Sequence, residues 1–198
     1  MKSGLLADLE VFQQFAVPTP VTIRTCTAGD LPNLEWFGMF AAHREIIQAA
    51  YERQEQGENV MLVADVHGWA VGQLWIDLAK KVEQSTGILW ALRVFPFLRN
   101  LRIGTRLIKV AEQVLRDRGF DCAEIGAEKD DPAARRLYER LGYRLVGSER
   151  SEYSYTGPDG VPVHVPVDEW ILHKRLVRGR TGRTPVKEMC LAKLQEEH

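Results

Sequence analysis

Three cysteines in 198 residues, Cys26, Cys122 and Cys190, are too few and too scattered for a disulfide framework or a CxxC metal knuckle. They read as reduced thiols in a cytoplasmic protein. The five histidines form no HxH or HExxH pair, so no metal centre is expected. Neither sign of charge is in excess. The 26 Lys and Arg against 27 Asp and Glu leave a net charge of −1, and nothing global argues for nucleic acid. No apolar run approaches membrane-spanning length. The opening MKSGLLADLEVFQQF has one Lys and is interrupted by Asp8 and Glu10, so it does not read as a signal peptide. Repeats and low-complexity segments are also missing. The remainder, 45% hydrophobic and 27% charged, suits one core and one domain.

The most informative stretch is 86–119. Ile88–Val94 is a bulky apolar run that suits a buried strand, and Pro96 stops it. A short turn carrying Arg99 and Arg102 follows. Gly104 and Thr105 then open a run with Leu107, Ile108, Ala111, Val114 and Leu115 on one helical face, closed by Gly119. A strand, a basic turn and a helix N-terminus gather orphan N–H groups and a positive dipole end at one point. That arrangement suits a phosphate or pyrophosphate.

The rest of the chain frames this unit. Leu5, Leu6, Leu9, Phe12 and Phe15 suggest an accessory helix over 4–16, with a linker to residue 20. Its alternative role is a homodimer contact. Val21–Thr25 reads as a first strand, Asp30 as an N-cap, and helices follow to about Met39 and over Ala41–Gln56. Val60–Val66 and Ala70–Leu78 form a hairpin around His67-Gly68. Asp121–Ala127 is a fifth strand, and Asp131 caps a helix that starts with Pro132. Tyr143–Ser154 and Val163–Arg175 pair through the Gly157–Gly160 turn. Residues 177–198 read as a basic linker and a short helix. This order is α+β, with helices around one mixed sheet.

Val94-Phe95-Pro96-Phe97-Leu98-Arg99-Asn100-Leu101-Arg102-Ile103-Gly104 resembles the V-x-P-x-x-[QR]-G-x-G-x-G turn of the GNAT acyl-CoA N-acyltransferases. Asp131-Pro132-Ala133-Ala134-Arg135-Arg136-Leu137-Tyr138-Glu139-Arg140-Leu141-Gly142-Tyr143 resembles their second signature, N-x-x-A-x-x-L-Y-x-[RK]-x-G-[FY]. The resemblance covers roughly Val21–Leu176. It implies a mixed, mostly antiparallel central sheet with flanking helices, and acetyl-CoA as the acyl donor. It implies direct transfer to the primary amine of a small molecule or a protein, in a ternary complex, without nucleic acid, membrane or metal. A CoA-binding module without catalysis is the alternative.

The resemblance also implies roles. The strand at Leu92, Arg93 and Val94 would pair with the pantetheine arm where the fourth and fifth strands splay. Arg99, Asn100, Leu101 and Arg102 would meet the pyrophosphate, with the helix start at Ile103, Gly104 and Thr105. Asn100 and Arg102 replace the family's usual glycines. Tyr138 matches the tyrosine that protonates the departing thiolate, and Asp131 stands where relatives carry an Asn on the cofactor arm. Some relatives place a base, Glu, where this chain has Gly126. Glu124 and Glu128, two residues to either side, share that face and are the candidate bases, with Asp77 as another and attack by the free amine without a residue as base as the alternative. The first helices and the last hairpin would wall the acceptor with Trp36, Phe37, Phe40, Tyr51, Tyr153, Tyr155 and His164.

Overall fold

The computed structural model describes residues 15, 17–157 and 160–176. Apart from Phe15, the expected helix over 4–16 lies outside these residues, and so does the tail from Val177. One seven-stranded sheet carries the fold, in the order β1-β2-β3-β4-β5-β7-β6. The strands are β1 (Thr22–Thr25), β2 (Asn59–Val66), β3 (Trp69–Asp77), β4 (Thr86–Val94), β5 (Cys122–Glu128), β6 (Arg144–Thr156) and β7 (Pro162–Arg175). All neighbours run antiparallel except β4 and β5. A parallel pair needs a crossover, and the helix α2 (Ile103–Asp117) supplies it. The mixed α+β expectation therefore holds.

Local chemistry explains the elements. His67 and Gly68 both have positive φ, 52° and 87°, as a two-residue hairpin turn of the mirror-image type requires. Leu107, Ile108, Ala111 and Leu115 of α2 are fully buried against one sheet face, beside Leu89, Ala123, Ile125 and Leu172. The other face is covered by α1 (Arg44–Glu55) and the preceding turns, with Leu34, Ile47, Met61, Val63 and Trp75 at its centre.

The region before α1 corrects the sequence reading. Residues Ala28–Glu35 form a 3-10 helix that ends at Trp36, Phe37 and Gly38, with φ of 42°, 57° and 87°. No α-helix survives three consecutive left-handed residues. Asp30 is not the N-cap but the third residue of this turn. It accepts the Thr27 N–H at 2.8 Å and pairs with Arg24 at 2.7 Å.

Candidate active site

β4 and β5 pair only from Thr86–Cys122 to Leu89–Ile125. Beyond that point β4 continues to Val94 and β5 to Glu128 with no ladder between them. A bulge bends β4 at the same place: between Trp90, opposite Trp75, and Arg93, opposite Gln73, Ala91 has a φ of 52°. The parted strands leave backbone groups on one edge of β4 without a strand partner, where an extended amide-bearing arm can pair. A cavity of about 1170 Å³ opens in the gap.

At one end the cavity is lined by Arg99, Asn100, Arg102, Ile103, Gly104 and Thr105. Arg102 precedes α2 with a φ of 64° and gives that helix no side-chain cap. The first-turn N–H groups are therefore left to an anion. Asn100 has a φ of 65°. Both replacements of the family's glycines thus occupy the conformation glycine would favour. Arg99 donates to the Val94 carbonyl at 3.3 Å. A Cβ on Gly104 would find Val94 and Leu92 at 3.7 and 3.8 Å, ordinary contact, so the fold itself tolerates a side chain there. Leu101 is exposed and does not line the cavity.

The helix α3 (Pro132–Arg140) forms another wall. Asp131 caps it, accepting the N–H groups of Ala133 and Ala134 at 3.0 and 2.9 Å. Tyr138 lies on its buried side, 6% exposed, and still reaches the cavity. Burial, with Asp131 and Glu169 nearby, pushes its phenol above the ordinary range and keeps it protonated.

The carboxylates are arranged differently from the expectation. Glu124 does not reach the cavity. It is 4% exposed, held by Lys81 at 2.6 Å and by His173 Nε2 at 2.6 Å, and those contacts occupy it. Asp77 is likewise structural: it pairs with Arg53 at 2.9 Å and accepts the N–H groups of Ala79 and Lys80. Glu128 does line the cavity. Its cross-strand partner on β7 is Glu169, whose partner on β6 is Glu149, so three carboxylates stand abreast. Like charges directly opposite destabilise a sheet, and a cation is the natural counterweight.

Glu169 is the residue that sequence reasoning missed. It lines the cavity, half-buried, and its carboxylate covers Gly126: a Cβ there would lie 2.6 Å from Oε1 and 2.8 Å from Oε2. Glu169 thus covers from β7 the position, Gly126, at which the resemblance implies a fifth-strand Glu in some relatives. Burial first, then Glu128 and Glu149, push its carboxyl pKa up. The one available signal was Gly126 itself, since a glycine inside a strand marks close approach by another group.

The aromatic wall is also redistributed. Trp36, Phe40 and Tyr153 line the cavity, whereas Tyr51, Tyr155 and His164 do not. Phe37 is 80% exposed and stacks on Trp69 instead. His43, Trp75 and Trp90 join the wall.

A mixed sheet split between β4 and β5, with a helix N-terminus at the mouth and a phenol beside the split, defines an acyl-CoA acyltransferase scaffold. Residues 28–143 match the acetyltransferase (GNAT) family, and the chain belongs to that family, for which acetyl-CoA is the donor. Among curated relatives, the mycothiol acetyltransferase of Beutenbergia cavernae is 32% identical over 143 residues, 66% of this chain and 48% of that protein. The chain therefore spans about half the length of the curated relative it matches. Among solved structures, the ribosomal-protein-S18-alanine N-acetyltransferase of Escherichia coli superposes with a TM-score of 0.61 at 18% identity, covering 83% of this chain and 100% of that one. YncA of Salmonella typhimurium, solved with acetyl-CoA, gives 0.61 at 17% identity, covering 83% and 99%. These two likenesses concern the fold.

Proposed function

We propose that this chain moves the acetyl group of acetyl-CoA directly onto a primary amine. The observation that carries the reading is the split between β4 and β5, with Tyr138, Glu128 and Glu169 all lining the cavity it opens. The two carboxylates attract the acceptor as an ammonium ion. Glu169, its carboxyl raised by burial, takes one proton from that nitrogen. The freed amine attacks the thioester carbonyl, the C–N bond forms and the C–S bond breaks. Tyr138 gives its proton to the departing thiolate, and the second amine proton is lost to water. Arg99, Arg102 and the first turn of α2 hold the pyrophosphate, and the open edge of β4 holds the pantetheine arm.

No helix among the described residues is long and apolar enough to cross a membrane. The free thiols of Cys26 and Cys122 support the reading of a cytoplasmic enzyme. A binding module without catalysis would need neither a buried phenol nor two like-charged carboxylates lining the same cavity. The test is release of free thiol from acetyl-CoA against a panel of primary amines, with the acetamide product identified by mass. CoA binding without turnover of any amine would refute the reading.

A further inference from the structure

The names of the relatives point to acceptors as different as a protein alanine and mycothiol chemistry. The acceptor has to be read from this chain's own walls, and one of them carries an unmatched charge. Arg93 follows the bulge on β4, half-buried, and lines the cavity on the face away from α2. Its guanidinium lies over Phe40, with Cζ 4.1 Å from the ring centroid. Among the described residues no carboxylate comes within ion-pairing distance of it; Glu128 acts on it only as a more distant charge. A guanidinium held over a ring keeps N–H groups for a further partner, in the fork that fits a planar carboxylate.

The rest of this wall is aromatic. Trp75 and Trp90 meet edge to face at 4.6 Å and both line the cavity. The indole N–H of each is enclosed by protein, so the rings meet the cavity through their carbon edges and faces. His43, which stacks near Tyr153 and Tyr155, has a buried Nδ1 that is unpartnered. Burial and the Arg93 charge lower its pKa, which keeps the ring neutral. The cavity thus carries a cation without an ion-pair partner among the described residues, Arg93, and the carboxylates of Glu128 and Glu169.

We propose that the acceptor is an amine that also carries a carboxylate: its ammonium is drawn to Glu169 and Glu128, and its carboxylate is received by Arg93. This rests on the acetyl-transfer reading and specifies its substrate class. Charges of both signs line one cavity, so one small molecule can satisfy both.

The test compares α-, β- and γ-aminocarboxylates with their primary amides and with simple alkylamines, using acetyl-CoA and thiol release. For at least one spacing, kcat/KM should favour the acid over its amide by about 10–100-fold, the worth of a hydrogen-bonded charge. Arg93→Gln should bring that ratio close to one, and Arg93→Lys should retain part of it, with thermal melting confirming that both variants fold. Tryptophan fluorescence, titrated with each acid and amide, reads binding without turnover; the signal should change with the acid far more than with the amide. Equal kcat/KM for acids and amides, with the same ratio in Arg93→Gln, overturns this inference and leaves amine acetylation standing. If no amine is acetylated, the functional reading fails, and the titration alone then decides whether the pocket takes a carboxylate.

Discussion

The carboxylate of Glu169 on β7 occupies the space above Gly126 on β5, at 2.6–2.8 Å from where a Cβ would stand. The two residues are not direct cross-strand partners. Gly126 faces Ile171, and Glu169 faces Glu128, so Glu169 leans diagonally over the glycine. The missing side chain on one strand is what admits the carboxylate from the next.

This relationship predicts a relocation experiment. Glu169→Gln should lower kcat by about 10²-fold, the usual worth of a general base, with little change in CoA affinity. Gly126 does not have a left-handed φ, so its backbone accepts a side chain. Gly126→Glu alone would force two carboxylates together and should destabilise the fold. Combined with Glu169→Ala, Gly126→Glu should restore much of the lost rate. Steady-state kinetics of the three variants decide the matter; a Glu169→Gln enzyme with wild-type kcat and a limiting chemical step would remove Glu169 from the chemistry.

A second prediction concerns pH. Burial and the charges of Glu128 and Glu149 raise the Glu169 carboxyl, because each disfavours its ionised form. As base it must be ionised, so kcat/KM should fall as pH drops through its raised pKa. Glu149 is exposed. Replacing it by Gln removes one like charge, which makes Glu169 easier to ionise and should move the acid limb to lower pH. Added salt should move the limb in the same direction. A limb that stays put in Glu149→Gln would mean that some other group titrates.

The sequence disclosed whatever depends on neighbours along the chain. His67-Gly68 encodes its own turn, Asp131-Pro132 its own cap, and the periodicity of Leu107, Ile108, Ala111 and Leu115 its own buried face. It could not disclose what depends on register between distant strands. Glu124 and Glu128 are equivalent by alternation, yet Lys81 and His173 capture the first, and only the second faces the cavity. Glu169 comes from 43 positions beyond Gly126, and only strand pairing brings them together. The aromatic wall failed for the same reason. Trp75 and Trp90 look like core strand residues, and they become cavity walls because a bulge and a split occur beside them.

Asn100 and Arg102, at φ of 65° and 64°, hold left-handed positions where a side chain is strained by about 1–2 kcal/mol. Glycine relieves that strain but gains freedom in the unfolded chain, worth about 0.4–1 kcal/mol in the other direction. Arg102→Gly should therefore stabilise the free protein by about 0.5 kcal/mol after that offset, read as a higher midpoint in urea. The same change removes a cation from the phosphate end of the cavity. CoA affinity should fall, more at low salt than at high salt, while pantetheine affinity holds. Asn100→Gly should gain less stability, because Asn tolerates this region better, and should leave the salt dependence alone. Equal losses for CoA and pantetheine in Arg102→Gly would mean that the side chain does not meet phosphate.

Tyr138 brings the two halves of the chemistry together, since Glu169 is close enough to raise its phenol further. The phenol is buried on α3, which Asp131 caps, and its pKa is raised chiefly by that burial. It therefore stays protonated well beyond the pH at which a free tyrosine, near 10, would begin to ionise. As the acid for the leaving thiolate, it should give an activity profile with no alkaline limb up to about pH 10. Tyr138→Phe should preserve the fold, because the ring packs as before and only a hydroxyl is lost. Its CoA affinity should be close to wild type and its kcat lower by about 10²-fold. The deficit should shrink with acyl donors whose leaving thiol is more acidic, since those need less protonation in the transition state. Plotting log kcat against leaving-thiol pKa for both proteins checks this: the Tyr138→Phe line should be steeper and should approach wild type at low pKa. Parallel lines would assign the proton to solvent and leave Tyr138 as a packing residue of α3.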